Sequence, residues 1–398
     1  MKKNSMIPIR RRSLKIIYVS SYIPRKCGIA TFTKDLTNAI NMLNPFDLAE
    51  IMALNRQDDN LDYPWEVKYK INWNDLNSYL EAATYINQSG ADLVMLEHEF
   101  GIFGGQGGEY IVPFVEKITK PLVVTCHTVP DDQNCEGGII LKRVLARADA
   151  LVVMMHQVAD KLMEKYLVPR NKIAIIPHGT PDLAYGAVSR YKKNFKKRVL
   201  FGNINLISPS RGIEYSIEAT AEIVKKIPNI LLLVVGQTHP GEIEWSGGEV
   251  YRNKLTKLVK ELKITKNVKF INRYVTLEEL IEWLKLMDFY VTPYLDPGQV
   301  SSGALAYAIG AGKLCISTPY LYAKEVLDNE RGVIVPFRNS KAIAKAVTRF
   351  NDDFELKEKT QKKAYDYGRY MTWPNVALQH LDLFQKVLKM KKGKSVKN

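Results

Sequence analysis

The strongest chemical signal in the sequence is a strand, a loop and a small-residue helix between Thr292 and Ser317. The strand ends in a Pro/Gly loop over residues 296–298, and a helix is predicted to start near Ser301 and to stop at residues 310–312. The first turn of a helix presents free backbone N–H groups and the positive end of the helix dipole, which together suit a diphosphate. The segment therefore predicts a phosphate-binding site; an ordinary strand–helix–strand crossover with a polar loop is the alternative.

A second loop carries a cation that could neutralise the same anion. Arg211 follows a polar stretch and immediately precedes a helix predicted to start at Glu214. A guanidinium group can bind a phosphate through two parallel hydrogen bonds. The helix dipole would slightly disfavour a cation at this place. That conflict favours a functional role for Arg211 over a surface cation.

The loop after the first predicted strand offers positive charge and an open backbone. Arg25 and Lys26 supply the charge, and Gly28 allows a ligand to approach the main chain closely. Ligands of doubly wound sheets bind beyond the carboxyl ends of the strands, where this loop lies. A plain turn with a helix cap at Thr31 is the alternative.

Two further strands in the first half end in polar residues. Glu97, His98 and Glu99 lead into a glycine-rich loop that includes Gly104 and Gly105. This loop could clamp an acceptor, or it is a surface lid whose polar residues are merely solvated.

The next strand ends directly before His127. A histidine at that position is well placed for hydrogen bonding or proton transfer. A histidine that only orients its loop is the alternative.

Regular elements must bring these loops together. Short apolar strands alternate with amphipathic helices, which predicts parallel sheets covered on both faces. The pattern stops over a basic, aromatic stretch, residues 186–198, and restarts at Val199. The sequence therefore predicts an α/β protein with two Rossmann-like, doubly wound domains that face a central cleft. The predicted strands are residues 14–20, 48–54, 93–97, 122–126, 150–155 and 173–176 in the first domain, and 199–201, 230–235, 268–271, 289–292, 314–317 and 332–335 in the second.

Length and charge set outer bounds on the function. A chain of 398 residues suits two domains. The net charge of +15 suits an anionic partner such as a phosphorylated substrate or an anionic membrane, although solvated basic tails are an equal alternative. No nucleic-acid-binding motif is present, so nucleic acid is not expected as a partner.

Cysteine content and hydropathy bear on the compartment. Four scattered cysteines fit a reducing environment, and no apolar run reaches the length of a membrane span. We expect a cytoplasmic protein, with peripheral contact at the inner membrane face left open.

Several segments share their order with a known family. Five segments follow one another along the chain: a strand followed by histidine (123–128), a Val-Pro to Pro-His-Gly segment (168–179), an Arg-Gly turn (208–214), the segment 292–317 and a Trp-Pro segment (370–374). Together they resemble the retaining glycosyltransferases of the GT-B fold, specifically the large family 4 of nucleotide-sugar-dependent enzymes, over residues 14–388. Residues 24–33 and the glycine-rich loop resemble a bacterial subgroup associated with mannose or glucose transfer.

The resemblance implies a domain plan. It consists of a basic tail (1–13), an N-terminal acceptor domain (14–185), a linker (186–198) and a C-terminal donor-binding domain (199–372). A helix over 373–390 then crosses back to the N-terminal domain and is followed by a basic tail (391–398).

The resemblance also implies the reaction. A hexose, mannose or glucose, would pass with retention from GDP-mannose or UDP-glucose to a saccharide or lipid-linked acceptor, with no bound metal or other cofactor. Arg211 and the N–H groups near Ser302 would stabilise the leaving diphosphate, and His127 would contact the donor sugar. The implied site residues are His127 and Arg211 for catalysis; Gly28, Arg211, Gln299, Ser301, Ser302, Gly303 and Tyr307 for the donor; and Arg25, Lys26, His98, Glu99, Gly104 and Gly105 on the acceptor side.

The sequence departs from the family at the donor. Gln299 and Tyr307 replace two glutamates that the family places eight positions apart. Glutamine can still bind sugar hydroxyls, and the tyrosine hydroxyl would lie near the ribose unless Tyr307 is a core aromatic. A weakly catalytic GT-B protein that binds sugar nucleotide or partners another transferase therefore remains open. A sugar phosphorylase, with phosphate as acceptor, is a further alternative.

Overall fold

A computed structural model describes residues 13–56 and 60–395 of the chain. The chain divides into two compact units: one includes the residues up to Ile176 and those from Ala377 onward, and the other is Pro177–Val376. Arg10, Arg11 and Arg12 of the predicted basic N-terminal tail lie outside the described residues, as do residues 396–398 of the C-terminal tail.

The first unit contains a seven-stranded parallel sheet with helices in the connections. Its strand order is β3-β2-β1-β4-β5-β6-β7. The central strands are buried along their whole length, because a parallel sheet is covered on both faces and so favours continuous apolar runs. The elements are β1 (Ile16–Ser20), α1 (Gly28–Leu43), β2 (Glu50–Asn55), β3 (Val67–Asn72), α2 (Leu76–Gln88), β4 (Leu93–His98), α3 (Ile111–Lys117), β5 (Leu122–Cys126), α4 (Glu136–Arg147), β6 (Ala150–Val153), α5 (His156–Tyr166) and β7 (Ile173–Ile175).

The second unit contains a six-stranded parallel sheet in the order β10-β9-β8-β11-β12-β13. Its core is formed by apolar strand residues and the inner faces of the helices that pack on them. The elements are β8 (Val199–Ile204), α6 (Ile213–Ile223), β9 (Ile230–Val235), α7 (Pro240–Ser246), α8 (Val250–Glu261), β10 (Val268–Ile271), α9 (Leu277–Leu286), β11 (Phe289–Thr292), α10 (Gly303–Gly310), β12 (Leu314–Ser317), α11 (Leu321–Val326), β13 (Val333–Ile334), α12 (Ser340–Asp352) and α13 (Phe354–Tyr370).

The two strand orders confirm the predicted pair of doubly wound sheets. In each sheet the chain moves outward in one direction, returns to the centre and then moves outward in the other. The reversal falls between β1 and β4 in the first sheet and between β8 and β11 in the second. The loops that follow these four strands therefore lie side by side within each unit, at the position where such sheets bind ligands.

The stretch predicted as a linker belongs to the second unit. The chain passes between the units at Ile176 and Pro177, whereas residues 186–198 pack on α9. The rings of Tyr191 and Phe195 lie 4.8 Å and 6.2 Å from the ring of Trp283. Aromatic contacts therefore anchor a segment whose basic composition had indicated a linker.

The last helix, α14 (Trp373–Ser395), extends beyond its predicted end at residue 390. Its residues from Ala377 onward cluster with the first unit, where Lys391 forms an ion pair with Asp149 at 2.8 Å. None of the helices within residues 13–56 and 60–395 is long and apolar enough to cross a membrane.

Candidate functional site

In the second unit, two loops meet at the carboxyl ends of β8 and β11. The Leu295 N–H donates a hydrogen bond to the Ser210 carbonyl at 2.9 Å. Gly212 adopts a positive φ of 60°, and a side chain there would lie 2.2 Å from the Pro293 carbonyl oxygen. Only glycine permits this approach, so the Arg211 loop and the Gln299 loop form one surface.

Arg211 is held in place by the neighbouring loop. Its Nη1 atom donates to Gln299 Oε1 at 3.2 Å, and its guanidinium carbon lies 4.5 Å from the Tyr294 ring centroid. The Nε atom is buried and has no hydrogen-bond partner among the described residues. The stacking and the single bond orient the guanidinium group while leaving hydrogen-bond capacity for an anion.

His239 is a residue of this site that sequence reasoning missed. It follows β9, and burial together with the positive charge of Arg211 lowers its pKa. Its Nδ1 atom accepts a hydrogen bond from the Gly241 N–H at 3.1 Å and caps α7. Its position soon after the carboxyl end of a central strand was the available signal.

Residues 292–317, called the donor segment below, contain the predicted helix, which starts slightly later than expected. Ser302 caps α10 by accepting a hydrogen bond from the Leu305 N–H at 3.3 Å, so the helix begins at Gly303. Gln299 Nε2 donates to the Ser301 carbonyl at 2.8 Å. The amide of Gln299 therefore bridges Arg211 and the residues that lead into α10.

Tyr307 lies inside the second unit. Its side chain is 5% exposed, and its ring centroid is 6.0 Å from that of His178. The His178 ring also lies close to Gly303, where an added side chain would meet His178 Nε2 at 3.0 Å. This burial fits a core aromatic, and the contact between Tyr307 and a ribose stays a prediction.

In the first unit, His127 is paired with a carboxylate. His127 Nε2 lies 2.8 Å from Glu97 Oε2, and the two side chains are 3% and 0% exposed. The Phe32 ring and the His127 imidazole pack nearly perpendicular to each other, with ring centroids 5.0 Å apart. The sequence indicated Glu97 as the end of a strand that leads into the glycine-rich loop, and its pairing with His127 is new information from the structure.

His98 is the last residue of β4 and is completely buried. Burial, and then electrostatic repulsion from His127, lowers the pKa of His98 to about 3, so the His98 imidazole is neutral at physiological pH. Neither ring nitrogen has a hydrogen-bond partner among the described residues, and the rings of Phe100 and Phe103 lie 4.9 Å and 5.5 Å away. This burial does not support a direct contact between His98 and an acceptor. It also excludes the alternative that His98 is merely a solvated polar residue of the loop.

The glycine-rich loop is more ordered than its composition indicated. It forms two 3₁₀ turns, Phe100–Ile102 and Gln106–Gly108. The Gly104 N–H is buried and donates to the Tyr79 hydroxyl at 2.9 Å, while Gly105 has a φ of 81° and packs under Tyr110. Backbone geometry therefore requires these two glycines, since a side chain at Gly104 would lie 1.6 Å from the Trp73 carbonyl oxygen.

Glu99 and the loop after β1 complete the predicted acceptor side. Glu99 accepts a hydrogen bond from the Thr128 hydroxyl at 2.7 Å, which joins the loops after β4 and β5.

Arg25 Nη1 donates to the Leu54 carbonyl at 3.3 Å, and Lys26 is exposed beside it. The structure contradicts the alternative of a helix cap at Thr31, because the Cys27 thiol caps α1 by accepting from the Ala30 N–H at 3.3 Å. Gly28 is the first residue of α1, and an added side chain there would meet no atom within 4 Å.

Comparisons with known proteins agree with this architecture. Residues 53–182 match the family model described as Glycosyltransferase Family 4, and residues 188–367 match the one described as Glycosyl transferases group 1. These matches and the two sheets define a glycosyltransferase of the GT-B class. The chain belongs to the family 4 kind of GT-B glycosyltransferases.

One curated relative is D-inositol 3-phosphate glycosyltransferase of Nocardia farcinica, which is 23% identical over 285 residues. The match covers 67% of this chain and 62% of the relative, so the chain spans about three fifths of that protein's length.

Two solved structures share the fold over nearly the whole chain. Sucrose-phosphate synthase of Thermosynechococcus elongatus is 16% identical with a TM-score of 0.75, covering 95% of this chain and 100% of that one. HepE of Anabaena, in complex with UDP and glucose, is 13% identical with a TM-score of 0.73, covering 94% and 100%. At these identities the similarity establishes the fold.

Proposed function

We propose that the protein transfers a hexose, mannose or glucose, from a nucleoside-diphosphate sugar to a saccharide or lipid-linked acceptor, with retention of anomeric configuration. The observation that carries this proposal is the hydrogen bond between Arg211 and Gln299 where the second sheet reverses direction. It places an oriented cation on the surface that leads into α10, where a diphosphate is favoured. The binding of UDP by the HepE structure supports a donor of the same chemical class.

The residues of the second unit would act on the leaving group. In the reaction, the bond between the anomeric carbon and the diphosphate oxygen breaks, and the acceptor oxygen bonds to that carbon from the same face. The diphosphate leaves with the bonding electron pair, and its newly freed oxygen takes the proton that the acceptor hydroxyl releases. Arg211 and the first N–H groups of α10 stabilise the charge that develops on the diphosphate. Gln299 would bind a sugar hydroxyl.

The residues of the first unit would act on the sugars. The buried His127 is held by Glu97, and it would contact the donor sugar near the reacting carbon. Arg25, Lys26 and Glu99 lie on the loops after β1 and β4, where we place the acceptor side. We place the reaction in the cytoplasm, with peripheral contact at an anionic membrane when the acceptor is lipid-linked.

One observation favours a second candidate, a sugar-nucleotide-binding protein with weak catalysis. The oxygen and the nitrogen of the Gln299 amide both form hydrogen bonds within the protein, and Tyr307 is buried. Neither side chain therefore offers the donor what the carboxylates of the two family glutamates would offer. Such a protein would bind the donor without consuming it.

A donor screen separates these functions. Thermal unfolding of the pure chain is measured with a panel of UDP, GDP and ADP sugars, because a ligand at 100 times its Kd stabilises the folded state by about 2.7 kcal/mol. The stabilising donor is then incubated with simple saccharides, and the product anomer is determined by proton NMR. We expect a retained anomer. Stabilisation without transfer or hydrolysis supports the binding protein, turnover only with inorganic phosphate supports a phosphorylase, and no stabilisation by any nucleotide contradicts the proposal.

A further inference from the structure

We infer that Glu97 is a positioning residue, which acts by fixing the tautomer and orientation of the His127 imidazole. The inference rests on the proposed function for the role of His127, but the geometry behind it is independent of any substrate. Glu97 contacts no reacting atom in this proposal. Its whole effect passes through the 2.8 Å contact with His127 Nε2.

The sheet itself brings the two side chains together. Glu97 on β4 is paired in register with Thr125 on β5, and His127 follows two residues later. Residues two apart on a strand face the same side of the sheet, so Glu97 and His127 are diagonal neighbours. The His127 N–H also donates to the His98 carbonyl at 3.0 Å, which extends the strand pairing to the histidine. Backbone and side chain therefore both hold the imidazole.

The cost of burying Glu97 argues against a purely structural role. The carboxylate is 0% exposed, and its Oε1 atom has no hydrogen-bond partner among the described residues. The nearby Tyr18 hydroxyl and Thr125 hydroxyl are also buried without partners in the described part of the chain. Apolar side chains of similar volume would often stabilise such a position as well or better. A buried acid with one unsatisfied oxygen is better explained by what it does to His127.

The pairing decides which nitrogen of His127 is offered to a ligand. A carboxylate at Nε2 favours the tautomer that carries its proton there, and so Nδ1 keeps its lone pair. No described residue hydrogen-bonds to Nδ1. In this arrangement Nδ1 accepts a hydrogen bond from a hydroxyl of the bound sugar. The opposite tautomer would carry its proton on Nδ1, and Nδ1 could then no longer accept a hydrogen bond from the sugar hydroxyl.

The first test reads the imidazole directly. The protein contains six histidines, so ¹⁵N-histidine labelling gives few signals, and the His127→Gln variant assigns the one that belongs to His127. In spectra recorded at a pH where the imidazole is neutral, we expect the Nε2–H tautomer in the wild type and a mixture of both tautomers in Glu97→Gln, because an amide can accept from or donate to Nε2. An unchanged tautomer in Glu97→Gln overturns the inference. This readout needs no donor, so it stands even when no nucleotide sugar is turned over.

A matched control separates positioning from stability. Glu66 is a second buried glutamate of the first unit, which accepts from the Tyr22 hydroxyl at 3.0 Å and pairs with Lys34. Glu97→Gln should lower kcat about tenfold to a hundredfold with little change in donor KM. Glu66→Gln should leave kcat unchanged at a temperature where both variants are folded. Equal losses of kcat in the two variants overturn the inference.

The double variant tests whether Glu97 acts through His127. If it does, Glu97→Gln combined with His127→Ala should be no slower than His127→Ala alone, because the contact is already lost. If the loss of rate in the double variant equals the product of the two single losses, Glu97 makes an independent, structural contribution, and the inference is overturned.

Where Glu97→Gln does not fold, Glu97→Asp replaces it, since this variant keeps the charge but withdraws the carboxylate from Nε2. A normal tautomer in Glu97→Asp would equally overturn the inference. Absence of any transfer by the wild type refutes the proposed function and leaves the tautomer result intact.

Discussion

The two sheets present different chemistry at their carboxyl ends. In the first unit, Glu97 and His127 lie on or directly after strands and are almost wholly buried. In the second unit, Arg211, His239 and Gln299 lie on loops and keep part of their surface exposed. Strand-borne groups are fixed by sheet geometry, whereas loop-borne groups can adjust to a ligand. The contrast indicates that sheet geometry fixes the Glu97–His127 pair in the first unit, whereas contacts between two loops orient Arg211 in the second.

The largest effect should come from removing the histidine that sheet geometry fixes. His127→Ala should lower the transfer rate about 10²- to 10³-fold, the scale of a positioned polar group acting in the transition state. Affinity for the free nucleoside diphosphate should change less than twofold, because the groups that we propose to bind the phosphates belong to the second unit. Steady-state kinetics and calorimetry of the same preparation measure both quantities. Parallel losses of nucleotide affinity and rate would show that His127 has a structural role, and the contrast between the units would fail.

A second, smaller effect should appear in the pH dependence of stability. The folded pKa of His98 is about 3, below its unfolded value of about 6.5. Below pH 6.5 the unfolded chain therefore binds a proton that the folded chain does not. The stabilising contribution of neutral His98 is complete above pH 6.5 and is lost as the pH falls toward 3, by about 2 kcal/mol between pH 6.5 and 5.

The variant His98→Leu should remove this dependence. Denaturant unfolding at several pH values should give a flatter loss of stability on acidification than in the wild type. At pH 7 the variant should be at least as stable, because it removes two ring nitrogens that lack partners. Identical slopes for variant and wild type would show that His98 is not held neutral by burial.

The smallest effects should lie in the donor segment. Gln299→Ala should weaken binding of the sugar nucleotide by about 1 kcal/mol and barely alter binding of the free nucleoside diphosphate, since we propose that the amide binds the sugar. Tyr307→Phe should instead modestly weaken binding of the free nucleoside diphosphate, because the hydroxyl is predicted to lie near the ribose. Titration of both ligands into both variants decides the matter. If neither variant changes either affinity, the segment is not the donor site, and the binding-protein alternative gains support.

Buried apolar runs made much of the fold predictable. Residues 122–126, 230–235, 268–271, 289–292 and 314–317 were predicted with the bounds that the structure shows. All but 268–271, which form the edge strand β10, are continuous or nearly continuous apolar runs in inner strands of their sheets. β3 was missed, since its sequence Val-Lys-Tyr-Lys-Ile-Asn alternates polar and apolar residues at a half-exposed sheet edge. The short helices α7 and α11 were also missed.

The candidate site was predictable only in part. The sequence assigned Arg211 and the segment 292–317 to one site, and the hydrogen bond between Arg211 and Gln299 agrees with this, because loops after neighbouring strands converge. Phosphate binding by Arg211 stays a prediction. The pairing of Glu97 with His127 could not be read from the sequence, since it depends on the register between β4 and β5. The Cys27 cap was missed because thiols are unusual caps, and His239 was missed because its loop has no glycine-rich or charged signature.

The most direct measurement of the central claim is calorimetric titration of UDP-glucose and GDP-mannose into the wild type, Arg211→Ala and Arg349→Ala. Arg349 is an exposed arginine on α12 of the same unit, stacked on Phe350, and serves as the matched control. We expect the wild type and Arg349→Ala to bind one of these donors equally. Arg211→Ala should bind it about 10- to 150-fold more weakly, corresponding to about 1.5–3 kcal/mol for a charge-assisted hydrogen bond. Equal affinity in Arg211→Ala and the wild type, or no binding of either donor, would contradict a diphosphate site at the carboxyl ends of β8 and β11.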